Sequence, residues 1–433
     1  MTPSPSAHSS ARQVRITAVR ITPVAFRDGP LLNAAGIHEP WALRAIIELE
    51  TSDGRVGLGE TYGDAPMLQV LAQAVPALQG LSPFDVQVLS ERLRQAIRPV
   101  AGAVEFTLAP GSHAAKNVAK AISAFEVPML DLQGQILGAP IVDLLGGPAR
   151  DRVPYSAYLF YKYAEHHGRP YAPDAWGEAV HPDQVVAQAR RMIGQYGFQS
   201  IKLKGGVFEP ALEIAAIRAL REAFPQHPLR LDPNANWSVA TSLKAAEALD
   251  ELLEYYEDPC PGLDGMAQVA RQTRLPLATN MVVTTFDEFR QNTQTQSARV
   301  ILSDHHYWGG LRATLELARM CEVWGLGLSM HSNSHLGISL MAMTHVAAAV
   351  PQLGYACDTH YPWQDEDLLQ EGRVVFEEGA VRVPMRPGLG VSLDRKQLAR
   401  LHDQYLQCGL RQRNDLAQMQ KYDPSFSGLS PRF

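Results

Sequence analysis

The sequence predicts an α/β fold with repeated parallel βα units at its centre and an α+β region ahead of them. Polar residues recur at the ends of short strand-like runs. Lys202-Leu203-Lys204 follows the segment 198–201, Asp232 closes Leu229-Arg230-Leu231, Glu257 closes 253–256, Asn280 closes 276–279, Asp304 follows Val300-Ile301-Leu302, and His331 follows Leu326-Gly327-Leu328. From Asp232 onward the steps are 25, 23, 24 and 27 residues, each enough for one strand and one helix. Between them the periodicity is helical. Leu212, Ala216, Leu220 and Phe224 fall on one face, Ser238 stands where a helix N-cap belongs, and Gly309-Gly310 precedes a helix over 311–324. With a first strand at 153–160 and a last at 354–357, about eight strands fit between residues 153 and 358. In a closed barrel of such units the C-terminal strand ends meet at one mouth, so residues distant in sequence converge there.

Upstream, 14–26 and 43–51 alternate and are rich in β-branched residues, and Ser52-Asp53-Gly54 turns the second run into 56–59, an antiparallel meander. Helical stretches at 82–97 and 113–135 complete an α+β domain over 14–150, with the barrel over 151–385. Near the C-terminus, 374–376 and 381–383 flank Glu378-Gly379 as a hairpin, and 393–407 reads as a helix. This final segment, 386–433, is expected to return to the first domain. Residues 1–13 are rich in Ser, Ala and Pro and are expected to be disordered.

A chain of 433 residues exceeds the size at which one hydrophobic core stops growing. Its 46% apolar and 19% charged residues are ordinary for a globular protein. A formal charge of -6 without basic blocks argues against nucleic acid or an anionic membrane as partner. Cys260, Cys321, Cys357 and Cys408 are widely spaced, which indicates neither a disulfide framework nor a thiolate zinc site. The N-terminus lacks an apolar signal core, and the apolar stretch 336–351 is short and interrupted by His345, so a cytoplasmic location is the expectation.

Asp232, Glu257 and Asn280 supply three oxygen donors from consecutive strand ends, a hard set suited to Mg²⁺. A single strand-end acid is more often a helix cap or an ion-pair partner; three on consecutive units outweigh that reading. Lys202 and Lys204 lie two apart on a strand and leave the same face. Two like charges that close favour each other's neutral form, as a general base requires. His331 has a candidate orienter in Asp304 one unit upstream. Lysines on one side, a histidine on the other and a metal between them form a layout for removing a proton next to a carboxylate. Serine-hydrolase, nucleotide-binding P-loop and zinc-protease motifs are missing, and Gly57-Leu58-Gly59 does not complete a dinucleotide fingerprint.

The motifs Lys202-Leu203-Lys204-Gly205-Gly206-Val207, Leu231-Asp232-Pro233-Asn234, Tyr256-Glu257-Asp258-Pro259-Cys260, Ala278-Thr279-Asn280-Met281, His331-Ser332-Asn333 and Asp358-Thr359-His360 resemble the enolase superfamily. Within it the chain is similar to the mandelate racemase subgroup and there to the glucarate dehydratases, with asparagine as third metal ligand in Ala-Thr-Asn-Met. The resemblance implies a modified TIM barrel capped by an α+β domain built from the N-terminal region and the C-terminal segment. It implies a hydro-lyase that binds Mg²⁺ at Asp232, Glu257 and Asn280 and dehydrates D-glucarate, and L-idarate, to 5-dehydro-4-deoxy-D-glucarate. Lys204 would take the α-proton, Lys202 would neutralise the carboxylate, and His331 with Asp304 would act on the other face. His38, Tyr158, Asn234, Asn333, His360 and Arg413 would hold the diacid, as would Ser112 where the family has threonine. The resemblance also implies a homo-oligomer. Alternatives remain open: a dehydratase or epimerase of another acid sugar such as galactarate, or a diacid-binding relative without turnover.

Overall fold

The computed structural model describes residues 11, 13–98, 113–167 and 174–433. Three antiparallel strands, β1 (Ile16–Arg27), β2 (Trp41–Thr51) and β3 (Val56–Tyr62), pair in that order. Helices α1 (Ala65–Leu78), α2 (Val86–Ala96) and α3 (Asn117–Leu137) follow them in the chain. Ala45, Ile47 and Leu49 of β2 share a core with Val70, Leu71, Leu89, Phe125 and Met129, because alternate strand residues face the helices. Helix α1 escaped the sequence reading because Pro66 at its start and Pro76 in its last turn break the helical signal at both ends. Gly57 and Gly59 serve packing rather than a phosphate. A Cβ on Gly57 would sit 2.2 Å from the Pro128 carbonyl oxygen, and one on Gly59 would sit 2.7 Å from Pro128 Cδ, so their bare backbone lets α3 lie close on β3.

A curled sheet of seven parallel strands comes next, paired in sequence order: β4 (Ala157–Phe160), β5 (Ile201–Lys204), β6 (Leu229–Asp232), β7 (Tyr255–Glu257), β8 (Leu277–Thr279), β9 (Val300–Ser303) and β10 (Gly327–Met330). The crossover helices are α4 (Pro182–Tyr196), α5 (Pro210–Ala223), α6 (Val239–Leu249), α7 (Gly262–Ala270), α8 (Phe286–Thr295) and α9 (Leu311–Trp324), with α10 (Gly337–Ala349) after β10. Strands β4 to β9 are buried along their whole length, as parallel strands covered on both faces must be. Ser238 caps α6 by accepting the Thr241 N–H, as its position in the sequence suggested.

The expected eighth strand at 354–357 forms no ladder. Single bridges, Leu328 with Leu353 and Tyr155 with Cys357, close the ring there. The expected first strand, 153–160, is two pieces. Arg152–Pro154 leaves the parallel sheet and pairs antiparallel with Ala380–Arg382. The hairpin expected at 374–383 therefore keeps its turn, with Glu378 and Gly379 at φ 53° and 76°, while its second arm pairs with the barrel.

Helix α11 (Arg395–Gln407) lies along β1, an edge strand whose outward carbonyls need partners. His402 Nδ1 meets Pro23 O at 2.7 Å and Gln404 Nε2 donates to Ala25 O at 2.8 Å. Among the described residues no helix is long and apolar enough to cross a membrane.

Helix α10 is buried on every side, and its mostly apolar residues show no polar face. It carries His345, whose Nε2 reaches Leu389 O at 3.1 Å. Burial pushes the His345 pKa down to about 4, against the hydrogen bond to Leu389. The folded state therefore binds fewer protons than the unfolded chain between pH about 6.5 and about 4, and stability rises with pH across that window. His166 and His335, also pushed down to about 4 by burial, add to the same slope. Acidifying from pH 6.5 to 4 is expected to cost up to roughly 3 kcal/mol for each such histidine. His345→Gln, which keeps a donor for Leu389, is expected to flatten the slope in urea denaturation across this range; an unchanged slope would contradict it.

Candidate active site

The ends of β5, β6 and β7 bring charged groups together because the parallel register sets them side by side. Lys204 is paired with Asp232, and Lys202 lies beside Tyr158 of β4. Lys202 is fully buried; its Nζ lies 2.7 Å from Glu257 Oε1, 2.6 Å from Asp358 Oδ2 and 3.5 Å from Asp232 Oδ2, with the Tyr158 ring centroid 4.6 Å away. Burial pulls the Lys202 pKa down, but Asp358, Glu257, Tyr158 and Asp232 overrule it and hold the ammonium well above its usual range. The mutual neutralisation of the two lysines argued from their spacing thus has the wrong sign for Lys202. The anions around it are closer and more numerous than its neighbour.

Lys204 Nζ donates to Asp232 Oδ2 at 2.6 Å. Asn234, held at φ 56°, turns its backbone N–H onto Asp232 Oδ1 at 3.0 Å. Asn280 Nδ2 donates to Glu257 Oε1 at 2.9 Å, which leaves its amide oxygen to accept elsewhere. Burial and the Asp232 charge push the Glu257 carboxyl well above the ordinary carboxylate range. Burial also raises Asp232, but Lys204 and Lys202 hold it below that range. Glu257 Oε2 is buried 2.6 Å from Lys202 Nζ, so the ammonium stands against both oxygens of that carboxylate. Two buried carboxylates that repel one another, beside an amide oxygen, fit a hard divalent cation, which would relieve that repulsion.

Just past the ends of β9 and β10, His331 Nδ1 lies 3.1 Å from Asp304 Oδ2 and 3.4 Å from Tyr307 Oη. Burial raises the Asp304 carboxyl, but His306 and His331 overrule it and hold it well below its ordinary value. Asp304, His305 and His306 present ligand-type atoms within 4.8 Å of one another. A metal there is disfavoured, because Arg44 Nη2 stands 2.9 Å from His306 Nε2 and places a fixed positive charge on that nitrogen.

Lys204, Asn234, Asn280 and His331 line one cavity of about 150 Å³, large enough for a small organic molecule. His38, Tyr158, Asn333, His360 and Arg413 line it too. Lys202, Asp232, Glu257 and Asp304 lie behind this lining, and Ser112 falls outside the described residues. His38 Nδ1 meets Asp28 Oδ2 at 3.0 Å and its ring stacks on His360 at 6.4 Å. His360 Nδ1 meets Ser332 Oγ at 3.1 Å, and Asn333 Nδ2 donates to Tyr62 Oη at 3.1 Å. Arg413 Nε donates to Asp415 Oδ1 at 2.6 Å, with a second bond to Asp415 Oδ2, which also accepts from Asn33.

Several residues at the site went unread in the sequence. Asp358 stands 27 residues after His331, the step that separates His331 from Asp304, so the spacing could have found it. Asp28, Tyr62, Lys120 and His306 carry no such signal. Lys120 lines the cavity from α3; burial pushes its pKa down to about 8 against the pull of Asp64.

Residues 16–146 match the family model of the mandelate racemase / muconate lactonizing enzyme N-terminal domain, and residues 184–397 match that of the enolase C-terminal domain-like family. A probable glucarate dehydratase of Streptomyces coelicolor is 52% identical over 422 residues, 96% of this chain and 98% of that protein. The crystal structure of an enolase from Pseudomonas fluorescens Pf0-1 with bound magnesium, potassium and tartrate is 58% identical. It has a TM-score of 0.94 and covers 97% of this chain and 100% of its own. An enolase from Mycobacterium smegmatis complexed with tartrate is 55% identical with a TM-score of 0.92, over 97% and 99% of the two chains.

Arg44 reaches this site as half of a buried ion pair: its Nε donates to Glu60 Oε1 at 2.8 Å, and the Glu60 carboxylate also accepts from the Leu336 and Ser339 N–H groups. Glu60→Gln strands a buried guanidinium and is expected to cost about 3–5 kcal/mol in urea denaturation. The double variant Arg44→Met/Glu60→Gln is expected to recover part of that loss; a double variant no more stable than Glu60→Gln would show that the pair is not the cause.

Proposed function

The chain belongs to the mandelate racemase / muconate lactonizing enzyme family of the enolase superfamily, and on that premise we propose that it dehydrates an acid sugar, D-glucarate first and its epimer L-idarate second. The observation that carries this reading is that Lys204 and His331, on the second and last strands of the sheet, line one cavity with Asn280. Two proton-transfer groups on separate walls, beside a hard oxygen-donor set, suit abstraction of a proton α to a carboxylate followed by loss of the β-hydroxyl. The 52% identity to a probable glucarate dehydratase and the tartrate in two similar structures support a hydroxylated diacid as ligand.

The chemistry then divides among this chain's residues. Asp232, Glu257 and Asn280 hold Mg²⁺, which supplies positive charge for the carboxylate as it gains electrons. Lys204, which donates to Asp232, acts as the neutral amine once its Nζ turns to the substrate, and taking the α-proton makes it the ammonium. The C–H electron pair passes into the adjacent carboxylate, and Lys202, kept charged by its carboxylates, stabilises the enediolate. The pair then forms the carbon–carbon double bond as the bond to the β-hydroxyl breaks. Its oxygen leaves as water with a proton from Nε2 of His331, which must enter this step as the imidazolium, and the resulting enol tautomerises to the 2-keto acid, 5-dehydro-4-deoxy-D-glucarate. His38, Tyr158, Asn234, Asn333, His360 and Arg413, with Ser112, are proposed to grip the diacid. A second reading, epimerisation, rests on the same two walls, since proton removal on one and return on the other inverts the carbon.

Glucarate, idarate, galactarate and aldonic acids with and without Mg²⁺ are expected to give a metal-dependent 2-keto product with glucarate. An epimer without keto acid would favour the second reading, and no turnover across the panel would remove both. Lys204→Ala and His331→Ala are each expected to lower kcat by about 10²- to 10⁴-fold, and full activity in either would exclude its assigned role. Dialysis against a chelator is expected to abolish turnover, with Mg²⁺ restoring it.

A further inference from the structure

An arginine of the antiparallel sheet reaches the histidine of the barrel through two intervening side chains. Arg44, on β2, has only donors, so the nitrogen 2.9 Å from its Nη2, His306 Nε2, must carry the lone pair. His306 is thereby the tautomer with hydrogen on Nδ1, and this N–H donates to Asp304 Oδ1 at 2.7 Å. The His306 backbone N–H donates to the same oxygen at 2.9 Å. Oδ1 is filled and Oδ2 faces His331 Nδ1 at 3.1 Å, so His331 donates from Nδ1 and its Nε2 is the nitrogen left with a lone pair. Ser339 Oγ, 2.9 Å from His306 Nε2 and 3.3 Å from Arg44 Nη2, closes the cluster, and every member is buried.

We propose that His306, held from the capping sheet by Arg44, is a positioning residue that pins Asp304 and so fixes which nitrogen of His331 meets the substrate. This rests on the dehydratase reading above. The cap's docking and the histidine's orientation are then one event, because the same guanidinium that pairs with Glu60 sets the tautomer of His306.

Two substitutions separate the two ends of the imidazole. His306→Asn places an amide donor where Nδ1 stands and keeps the bond to Asp304. His306→Gln places its amide near Nε2, keeps an acceptor for Arg44 and gives up Asp304. Wash-in of solvent deuterium is followed by NMR in Mg²⁺ buffer at the α-carbon of D-glucarate and of its epimer L-idarate, and Lys204→Ala shows which of the two sugars depends on the His331 wall. His306→Gln is expected to slow exchange in the sugar that depends on His331 by about 10- to 100-fold, the range typical of losing an outer partner of a functional histidine. Exchange in the sugar that depends on Lys204 is expected to stay within about twofold, and His306→Asn is expected to retain most exchange in both. Equal losses with both sugars, equal losses in both variants, or no loss in His306→Gln would overturn the inference while leaving the dehydratase reading standing. A wild-type protein that exchanges neither sugar brings down the dehydratase reading and the inference with it.

Discussion

A buried ammonium in the barrel floor constrains everything around it. Lys202 has no contact with water, and a lysine so placed stays charged only if carboxylates surround it. Glu257 and Asp358, far apart in the chain, do so at 2.6–2.7 Å. Asp358 in turn lies 3.8 Å from Arg230 Nη1, itself fully buried and bonded to Glu254 and the Ala356 carbonyl. The region between β10 and β4, where no full ladder forms, is closed by isolated backbone bonds from residues 353–358, and Lys202 and Arg230 tie Asp358 at its end to the barrel interior. The same arrangement leaves Asp232 and Glu257 repelling one another, a tension a divalent cation removes.

The cap depends on a second buried pair. Glu60 of β3 accepts the N–H groups of Leu336 and Ser339 at the start of α10, so a strand of one layer satisfies the helix terminus of another. Arg44 beside it reaches His306 and Ser339. The antiparallel sheet is thus joined to the barrel by polar bonds that each require the other side, and the joint stands next to the strand ends that carry Asp304 and His331. Around the cavity, residues from the cap, such as His38 and Tyr62, meet residues from the barrel, such as His360 and Asn333. A ligand in that cavity touches both layers, so its shape is set by the hairpin and helices of the cap as much as by the strand ends.

Much of this was legible in the chain. The steps of 23 to 27 residues from Asp232 to His331 reflect a strand and a helix, and local periodicity is a short-range property that a sequence records directly. The strand-end residues it marked do gather at one end of the sheet, because parallel register leaves them no other place. Where local signals were mixed the reading slipped. Two prolines hid α1, and the aromatic and apolar run at 153–160 merged two strands into one across a change of partner.

What the sequence by itself determined is the parallel βα order, the antiparallel meander before it, and a set of polar side chains that share the barrel mouth. Tertiary structure alone decided which of them line the cavity and which lie beneath it, the sign of the shift at Lys202, and the path from Arg44 to His331. The reason is physical. A strand or helix is chosen by residues a few positions apart, whereas Arg44 and His306 stand 262 residues apart and meet only when two layers pack. The charge state of a buried group depends on such distances, which periodicity does not contain.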